Sequence, residues 1–457
     1  MITATARAQK VFGGRRRLDA GYFCSPGAKA AVTLDHLRVA GVRMVRVAGE
    51  CGLGTVFHPN RFKRQIAAPA EEALPFLRAF DVFEYLPQPA DWISEARTER
   101  IDDLRVTEGE ILLTRSGRNL GPSVIVDSHL AQFIPSDDLL RLRIADVKMR
   151  NYVFAYLSSA IGQQLLRQDK TGSVIDHLSA EQVGRQAVPI IDHIFETVAD
   201  EIGQSIAVRA SARKYLVQSV EAMQRSLPKP NDQRLREGWT VRAAKLSGRL
   251  DAAFHNRHVT DAREDLLSAG GVRLGDVARV HKPAGRYKTY YVDKAHGTPL
   301  LSGRNLLQAT PIGLKYISSR SIAENSGYEL KPGWICFQAD GRAEERLGFP
   351  IMVTSERDGW LASGHVARLI PHKDEDAGWL WSAMASRAVQ EQIAALACGS
   401  VVDALYEDDL KRVVIPPRSA TNSESVREAW EMFAEAKRLE ASAIGRIEKE
   451  ISQRTIQ

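Results

Sequence analysis

The chain has 457 residues, 44% hydrophobic and 26% charged, and a net charge of +6. That length predicts two or three domains with sizeable cores, and the mild positive charge permits a polyanionic partner without requiring one. No stretch reaches the roughly 18 apolar residues of a membrane span, the N-terminal MITATARAQKVFGGRRR has no apolar signal core, and Cys24, Cys51, Cys336 and Cys398 form no CxxC pair, which argues against a membrane protein, a disulfide framework or a zinc ribbon. A soluble cytoplasmic protein with free thiols is expected.

In chain order, the first legible stretches are Pro75-Phe76-Leu77 and Ile93-Ser94. Gly109 to Thr114 (GEILLT) follows, an apolar run entered by glycine and left by the polar turn Arg115-Ser116-Gly117-Arg118; such a run predicts a strand and a loop. Tyr152 to Leu166 repeats apolar residues at threes and fours and predicts a helix leading into Thr171-Gly172-Ser173. Ser179 to Gly184 predicts a short helix, then a β-type segment ending at Pro189. From Ile191 to Leu227 there is no proline, and Ile194, Val198, Ile202, Ile206, Leu216, Val220, Met223 and Leu227 form an apolar stripe. This predicts one helix of about 36 residues, spanning roughly 54 Å at 1.5 Å per residue. Leu227-Pro228-Lys229-Pro230-Asn231 ends it.

The same order then recurs. Gly333 to Arg342 repeats Gly109 to Arg118 at an offset of 224, as do Pro299-Leu300-Leu301 and Ile317-Ser318 for their counterparts; Cys398 to Pro417 repeats Thr171 to Ile190 at 227. His365 to Pro371 aligns with His129 to Pro135 at 236, and Arg249-Leu250-Asp251-Ala252 with Arg17-Leu18-Asp19-Ala20 at 232. Trp379 to Ala395 predicts a helix like Tyr152 to Leu166, Glu407 to Val413 a short one, and Val426, Trp430, Phe433, Ala436, Leu439, Ala443, Ile447 and Ile451 a second long one. A drifting offset in unchanged order is what loop insertions produce in two copies of one domain. The fold class is therefore α+β: two homologous mixed α/β domains, each followed by a long helix, the two helices expected to pack as an antiparallel coiled coil, with an oligomerisation coiled coil as the alternative. The boundaries fall at 1–190 and 191–227 for the first domain and helix, 228–238 for the linker, and 239–417 and 418–457 for the second domain and helix. Gly172 and Gly399 are expected to supply positive-φ turns that Ser173 and Ser400 cap; a phosphate cradle is the alternative.

This layout resembles the specificity subunit of type I restriction-modification systems. The likeness rests on the Gly109 to Gly117 run, the proline-led stretches at Pro75 and Pro299, and Thr171-Gly172-Ser173 through Pro189 with a long helix behind it, found twice. The second copy departs at Gln338-Ala339-Asp340, where the first has Thr114-Arg115-Ser116, and at Cys398 for Thr171. The resemblance implies target recognition domains that each meet a stretch of double-stranded DNA, with the helices fixing the gap between half-sites. Base-edge reading needs Arg for guanine and Asn or Gln for adenine. The candidates are Arg78, Arg115, Ser116, Arg118 and Asn119 in the first domain, and Lys282, Arg286, Tyr287, Lys288, Arg304, Asn305 and Arg342 in the second.

No phosphate-loop motif and no N-P-P-[YF] or D-P-P-[YF] segment occurs. The resemblance thus implies a non-catalytic chain, with S-adenosylmethionine on DNA adenine methyltransferase subunits and ATP and Mg on a restriction-translocase subunit. A stand-alone two-domain DNA-binding regulator is the alternative of another class. A nuclease built on Asp403, Asp409 and Lys411, or on His255-Asn256-Arg257-His258, or a methyltransferase, is a third reading.

Overall fold

A computed structural model describes residues 20–69, 72–89, 91–117, 119–168, 176–227, 239–246, 248–283, 289–320, 326–342, 346–399, 402–418 and 422–456. They divide into two units, one of residues up to 210 together with those from 435 onward, the other of residues 211–434.

In the first unit, β1 (Arg43–Arg46) pairs with β9 (Ala187–Ile190). A four-stranded antiparallel sheet has β2 (Thr55–Phe57), β8 (Leu139–Arg143), β5 (Ile111–Thr114) and β6 (Ser123–Ile125) in that order, and a second sheet has β4 (Asp91–Ser94), β3 (Ala73–Leu77) and β7 (Ile134–Pro135). The second unit repeats this. There β10 (Val272–Arg273) pairs with β21 (Val414–Ile415), the four-stranded sheet runs β11 (Ala278–His281), β19 (Val366–Pro371), β15 (Ile335–Gln338), β17 (Ile351–Met352), and the other runs β12 (Tyr291–Val292), β14 (Lys315–Ser318), β13 (Gly297–Leu301), β18 (Leu361–Ala362). A short pair of its own joins β16 (Asp340–Gly341) to β20 (Asp403–Ala404). Register agrees as well as order. Pro75 faces Trp92 and Pro299 faces Tyr316, while Leu112 faces Arg141 and Cys336 faces Arg368. A one-residue slip would turn each buried face outward, so equal registers mark one fold present twice.

The registers also correct the alignment at 236. Ile134-Pro135 lies parallel to β3, the place that Leu361-Ala362 takes beside β13, whereas Val366–Pro371 corresponds to β8. The true offset is 227 from β6 onward, because the loop from 339 to 350 is longer than that from 115 to 122. The correspondence at Arg17-Leu18-Asp19 lies outside the described residues.

Local chemistry recurs position by position. Gly109 and Gly333 have φ of 91° and 82°, conformations open to glycine, and each donates its N–H into the strand-edge carbonyl of Val126 or Val353 at 2.9 Å. The helices predicted as single at Tyr152 to Leu166 and Trp379 to Ala395 are each broken: Val147–Ser158 and Ala160–Gln168 flank Ser159, and Ala377–Ala385 and Arg387–Leu396 flank Ser386. Both serines are extended in ψ, and both turn their hydroxyls back to a carbonyl three residues earlier at 2.6 Å, competing with the helical ladder. Tyr152 donates its hydroxyl to the Pro189 carbonyl at 2.9 Å, and Trp379 its indole N–H to that of Pro416 at 3.1 Å, which ties the repeat's closing proline to the helix in both copies. Burial pushes the Tyr152 hydroxyl up to about 12, so it stays a donor at neutral pH. The short helix Ala180–Gly184 has a capping box from Ser179 and Gln182.

A further pair of equivalent residues is buried and charged. Arg141 and Arg368 are each 0% exposed. Arg141 donates to the carbonyls of Asp103, Leu104 and Arg105 at 3.3, 2.6 and 2.8 Å; Arg368 donates to those of Tyr328, Ala362 and Val366 at 3.1, 3.0 and 2.8 Å. Leu104 and Tyr328 are themselves equivalent, 224 positions apart, so the same bond joins the same two parts of the fold twice. Burial lowers the Arg141 guanidinium to about 10, so it stays charged at neutral pH.

The long helices are Asp192–Ser226 and Ser423–Ile456, of 35 and 34 residues. In the first unit they run antiparallel, since His193 meets Glu450, Glu201 meets Arg446 and Ser205 meets Glu440. Val198, Ile202, Ala443, Ile447 and Ile451 are buried there, and Leu216, Met223, Val426, Trp430 and Phe433 are buried in the second unit. The apolar stripe is interrupted: Glu440 is buried while its neighbour Leu439 is not. Arg209 reaches Glu440 at 2.5 Å and Ser205 adds a bond at 3.2 Å. Burial would raise the Glu440 carboxyl, but Arg209 and Lys437 outweigh it and hold the group below the usual range. Among the described residues no helix is long and apolar enough to cross a membrane.

Arg209→Ala removes the nearest cation from the buried Glu440 carboxylate, leaving it Ser205 at 3.2 Å and Lys437 at 3.8 Å, and should cost about 3 kcal/mol, measurable by urea unfolding. Because the folded value of Glu440 is depressed, its contribution is complete above the ordinary value of 4.5 and is lost as pH falls through the lower folded value. Glu440→Gln should therefore flatten the acid limb of the stability curve.

Candidate functional site

The four-stranded sheet of each unit ends in a polar cluster. In the first unit Ser116, two residues beyond β5, contacts Asp138 Oδ1 at 2.6 Å and His177 Nδ1 at 2.7 Å. A hydroxyl has one proton. If Ser116 gives it to the carboxylate, His177 must carry its hydrogen on Nδ1 and donate to the serine oxygen, so the bonds run from His177 to Ser116 to Asp138. Asp138, which lies on the serine and not on the histidine, does not build a nucleophile. Arg115 adds an ion pair to the same Oδ1 at 3.4 Å. Backbone bonds from Gly117 to Asp176 and from Leu178 to Arg115 seat the turn, and Thr114 Oγ1 donates to the Asn119 carbonyl at 2.8 Å. His58, the first residue after β2, is lowered by burial and then by Arg115, which keeps the ring neutral.

The second unit rebuilds the cluster with its residue types exchanged. Asp340 stands where Ser116 does and His365 where Asp138 does, while Lys282 takes the place of His58. Lys282 Nζ lies 2.6 Å from Asp340 Oδ1, and His365 Nδ1 lies 2.9 Å from Asp340 Oδ2. Lys282 also donates to the Leu405 carbonyl at 3.3 Å and sits 5.9 Å from the Tyr406 ring centroid. The pairing of β16 with β20 anchors this end, as the Ser116–His177 bridge does in the first unit.

The other expected residues are spread around these clusters. Arg78 is exposed on the turn leaving β3, its N–H held by Asp81 at 3.0 Å. Arg304 is exposed on the turn leaving β13, the short helix Gly303–Leu306 capped by Ser302. Asn305 spends its amide on the Ile312 carbonyl and on Gln308, at 2.9 and 3.2 Å, and so holds its own loop. Arg342 is exposed beside Asp340. Arg118, Arg286, Tyr287, Lys288, Gly172, Ser173 and Ser400 lie outside the described residues. Gly399 does not have the positive φ expected of it. What excludes a side chain there is the Val402 carbonyl, which packs into the space a Cβ would fill. A cleft of about 390 Å³ in the first unit brings Arg61, Lys63, Arg97 and Arg100 together against Glu99 and Asp103.

The groups considered for a nuclease are engaged elsewhere. His255 bonds the Arg249 carbonyl at 2.7 Å, His258 faces Glu391 at 3.3 Å, and Lys411 pairs with Asp408. All four cysteines are free, and burial pushes the Cys336 thiol up to about 12. Sequence reasoning missed His58, Asp138, His177, Asp340 and His365. The offset of 224 already set Ser116 against Asp340; carrying the offset of 227 back from Thr171 would also have set Asp138 against His365.

No protein-family model and no curated protein matches the chain. Three solved structures are similar to it: a type I restriction-modification S subunit from M. genitalium (12% identity, 90% of this chain and 96% of that one, TM-score 0.24), an HsdS subunit from Thermoanaerobacter tengcongensis (14%, 91% and 96%, TM-score 0.26), and a structure described in terms of complex assembly and conformational transition of the type I R-M system (14%, 90% and 96%, TM-score 0.27). At TM-scores this low the likeness carries no weight of its own; the duplicated fold does.

Ser116→Ala removes the link between His177 and Asp138 and should destabilise the first unit by about 1 to 2 kcal/mol. Urea unfolding of the variant beside the parent chain measures it.

Proposed function

We propose that the chain is the DNA-binding specificity subunit of a type I restriction-modification system, reading a two-part target with one domain per half. The observation that carries this reading is the duplication itself: two copies with one strand order and one register, whose strand-end polar residues nonetheless differ. Equal scaffolds with unequal hydrogen-bonding groups suit a bipartite duplex target with dissimilar halves, since phosphate contacts position a protein while base-edge contacts specify sequence. Exposed Arg78, Arg304 and Arg342 and the basic cleft of Arg61, Lys63, Arg97 and Arg100 offer cations for the backbone.

The chemistry is assigned to partners: DNA adenine methyltransferase subunits using S-adenosylmethionine, and a restriction-translocase subunit using ATP and Mg. In this reading the chain itself is not an enzyme, and it works in the cytoplasm. The long helices serve as spacer and as the docking surface for the methyltransferase subunits.

Exchange of residues 239–417 for the same region of another such subunit should change one half of the methylated target and leave the other intact, read by mapping methylated adenines. A change in both halves refutes the modular reading. Insertion of whole helical turns after Ser211 should alter the gap between the halves, measured by selection from randomised duplexes; an unchanged gap refutes the spacer role.

A further inference from the structure

The two strand-end clusters share a feature that neither copy reveals alone. In each, the residue just before the long central strand, Asp138 before β8 and His365 before β19, is the outward member: their side chains are 45% and 59% exposed. Each is held from behind by the residue two beyond the neighbouring strand, Ser116 or Asp340. Arg115 adds a second contact to Asp138 in the first copy, and Lys282 pairs with Asp340 from behind in the second. At three matched positions, Ser116 and Asp340, Asp138 and His365, and His58 and Lys282, a polar group survives although its type has changed, whereas Arg115 and His177 give way to Ala339 and Ala404. The neighbouring strand in each copy carries the apolar packing, through Ile111, Leu112 and Leu113 or through Ile335, Cys336 and Phe337, all buried.

The geometry points to this outward position as the base-reading position of each domain. The inference rests on the function proposed above and names the reader within it. Asp138 is an acceptor-only group whose Oδ1 is taken by Ser116 and Arg115, leaving Oδ2 outside those bonds. A carboxylate so placed accepts from an exocyclic amino group, cytosine N4 above all. His365 turns Nδ1 to Asp340 and so presents Nε2, a different hydrogen-bonding edge at the same place. Ser116, Arg115, Asp340 and Lys282 are positioning residues in this scheme. Arg115 neutralises the carboxylate it steadies, so its loss alters the reading through Asp138 and not by a contact of its own.

The test selects the purified full-length chain against a randomised duplex library, beside Asp138→Ala and His365→Ala. The parent chain should yield a two-part target. Asp138→Ala should relax preference at one position of one half by roughly 10- to 100-fold, and His365→Ala should do so in the other half only. Asp138→Asn keeps the volume, puts an amide donor where there was only an acceptor, and should change the preferred base; it stands in if the alanine variant fails to fold. Asp138→His should move the first half toward the preference of the second. If every variant selects the parent target unchanged, or weakens on all duplexes alike, the outward position is not a reader and this inference falls while the proposed function stands. A parent chain that selects no sequence at all removes both.

Discussion

Each unit depends on a buried guanidinium at the same place in its central strand. Arg141 and Arg368 sit in the central strand of the four-stranded sheet with no exposure, and their donors reach backbone carbonyls of the segments that come back from the second sheet. A buried charge is costly unless its donors find partners, and here the terminal N–H groups of both guanidinia find carbonyl oxygens, although Nε of Arg141 finds none among the described residues. The bond therefore joins two sheets that could otherwise drift, and it fixes β8 or β19 in register. Everything at the end of that strand, including Asp138 and His365 one residue before it, inherits its position from the clamp.

The long helices use a related device. An unbroken apolar stripe allows helices to slide by a turn at small cost, whereas a buried Arg209–Glu440 pair with Ser205 beside it forms in only one alignment. The pair gives up some stability relative to apolar packing and specifies register in return, the role best attested for buried polar groups between helices. Glu201 with Arg446 repeats that alignment nearer the surface.

Much of this is legible in the residues alone. The glycine-entered runs at Ile111 and Ile335 are strands with the bounds expected, because glycine and a polar turn punctuate an apolar run sharply. The first long helix ends within a residue of its expected bounds at either end, since a pattern without proline sustained over ten turns has few other outcomes. The breaks at Ser159 and Ser386 are not legible, because a serine inside an amphipathic pattern usually points outward and leaves the helix whole. Arg141 escapes notice for a related reason: Leu-Arg-Leu in a strand reads as alternation with arginine in water, and only the carbonyls of residues far away in sequence make its burial possible.

The sequence by itself determined that there are two copies of one α+β domain, each with a long helix behind it, because periodicity and punctuation are local properties that survive divergence. Tertiary structure decided how the copies correspond around β7 and β8, and which polar residues meet. Ser116, Asp138 and His177 are scattered along the chain, as are Lys282, Asp340 and His365, and what brings each set together is strand pairing between distant segments, a cooperative outcome of burial that no short window of residues encodes.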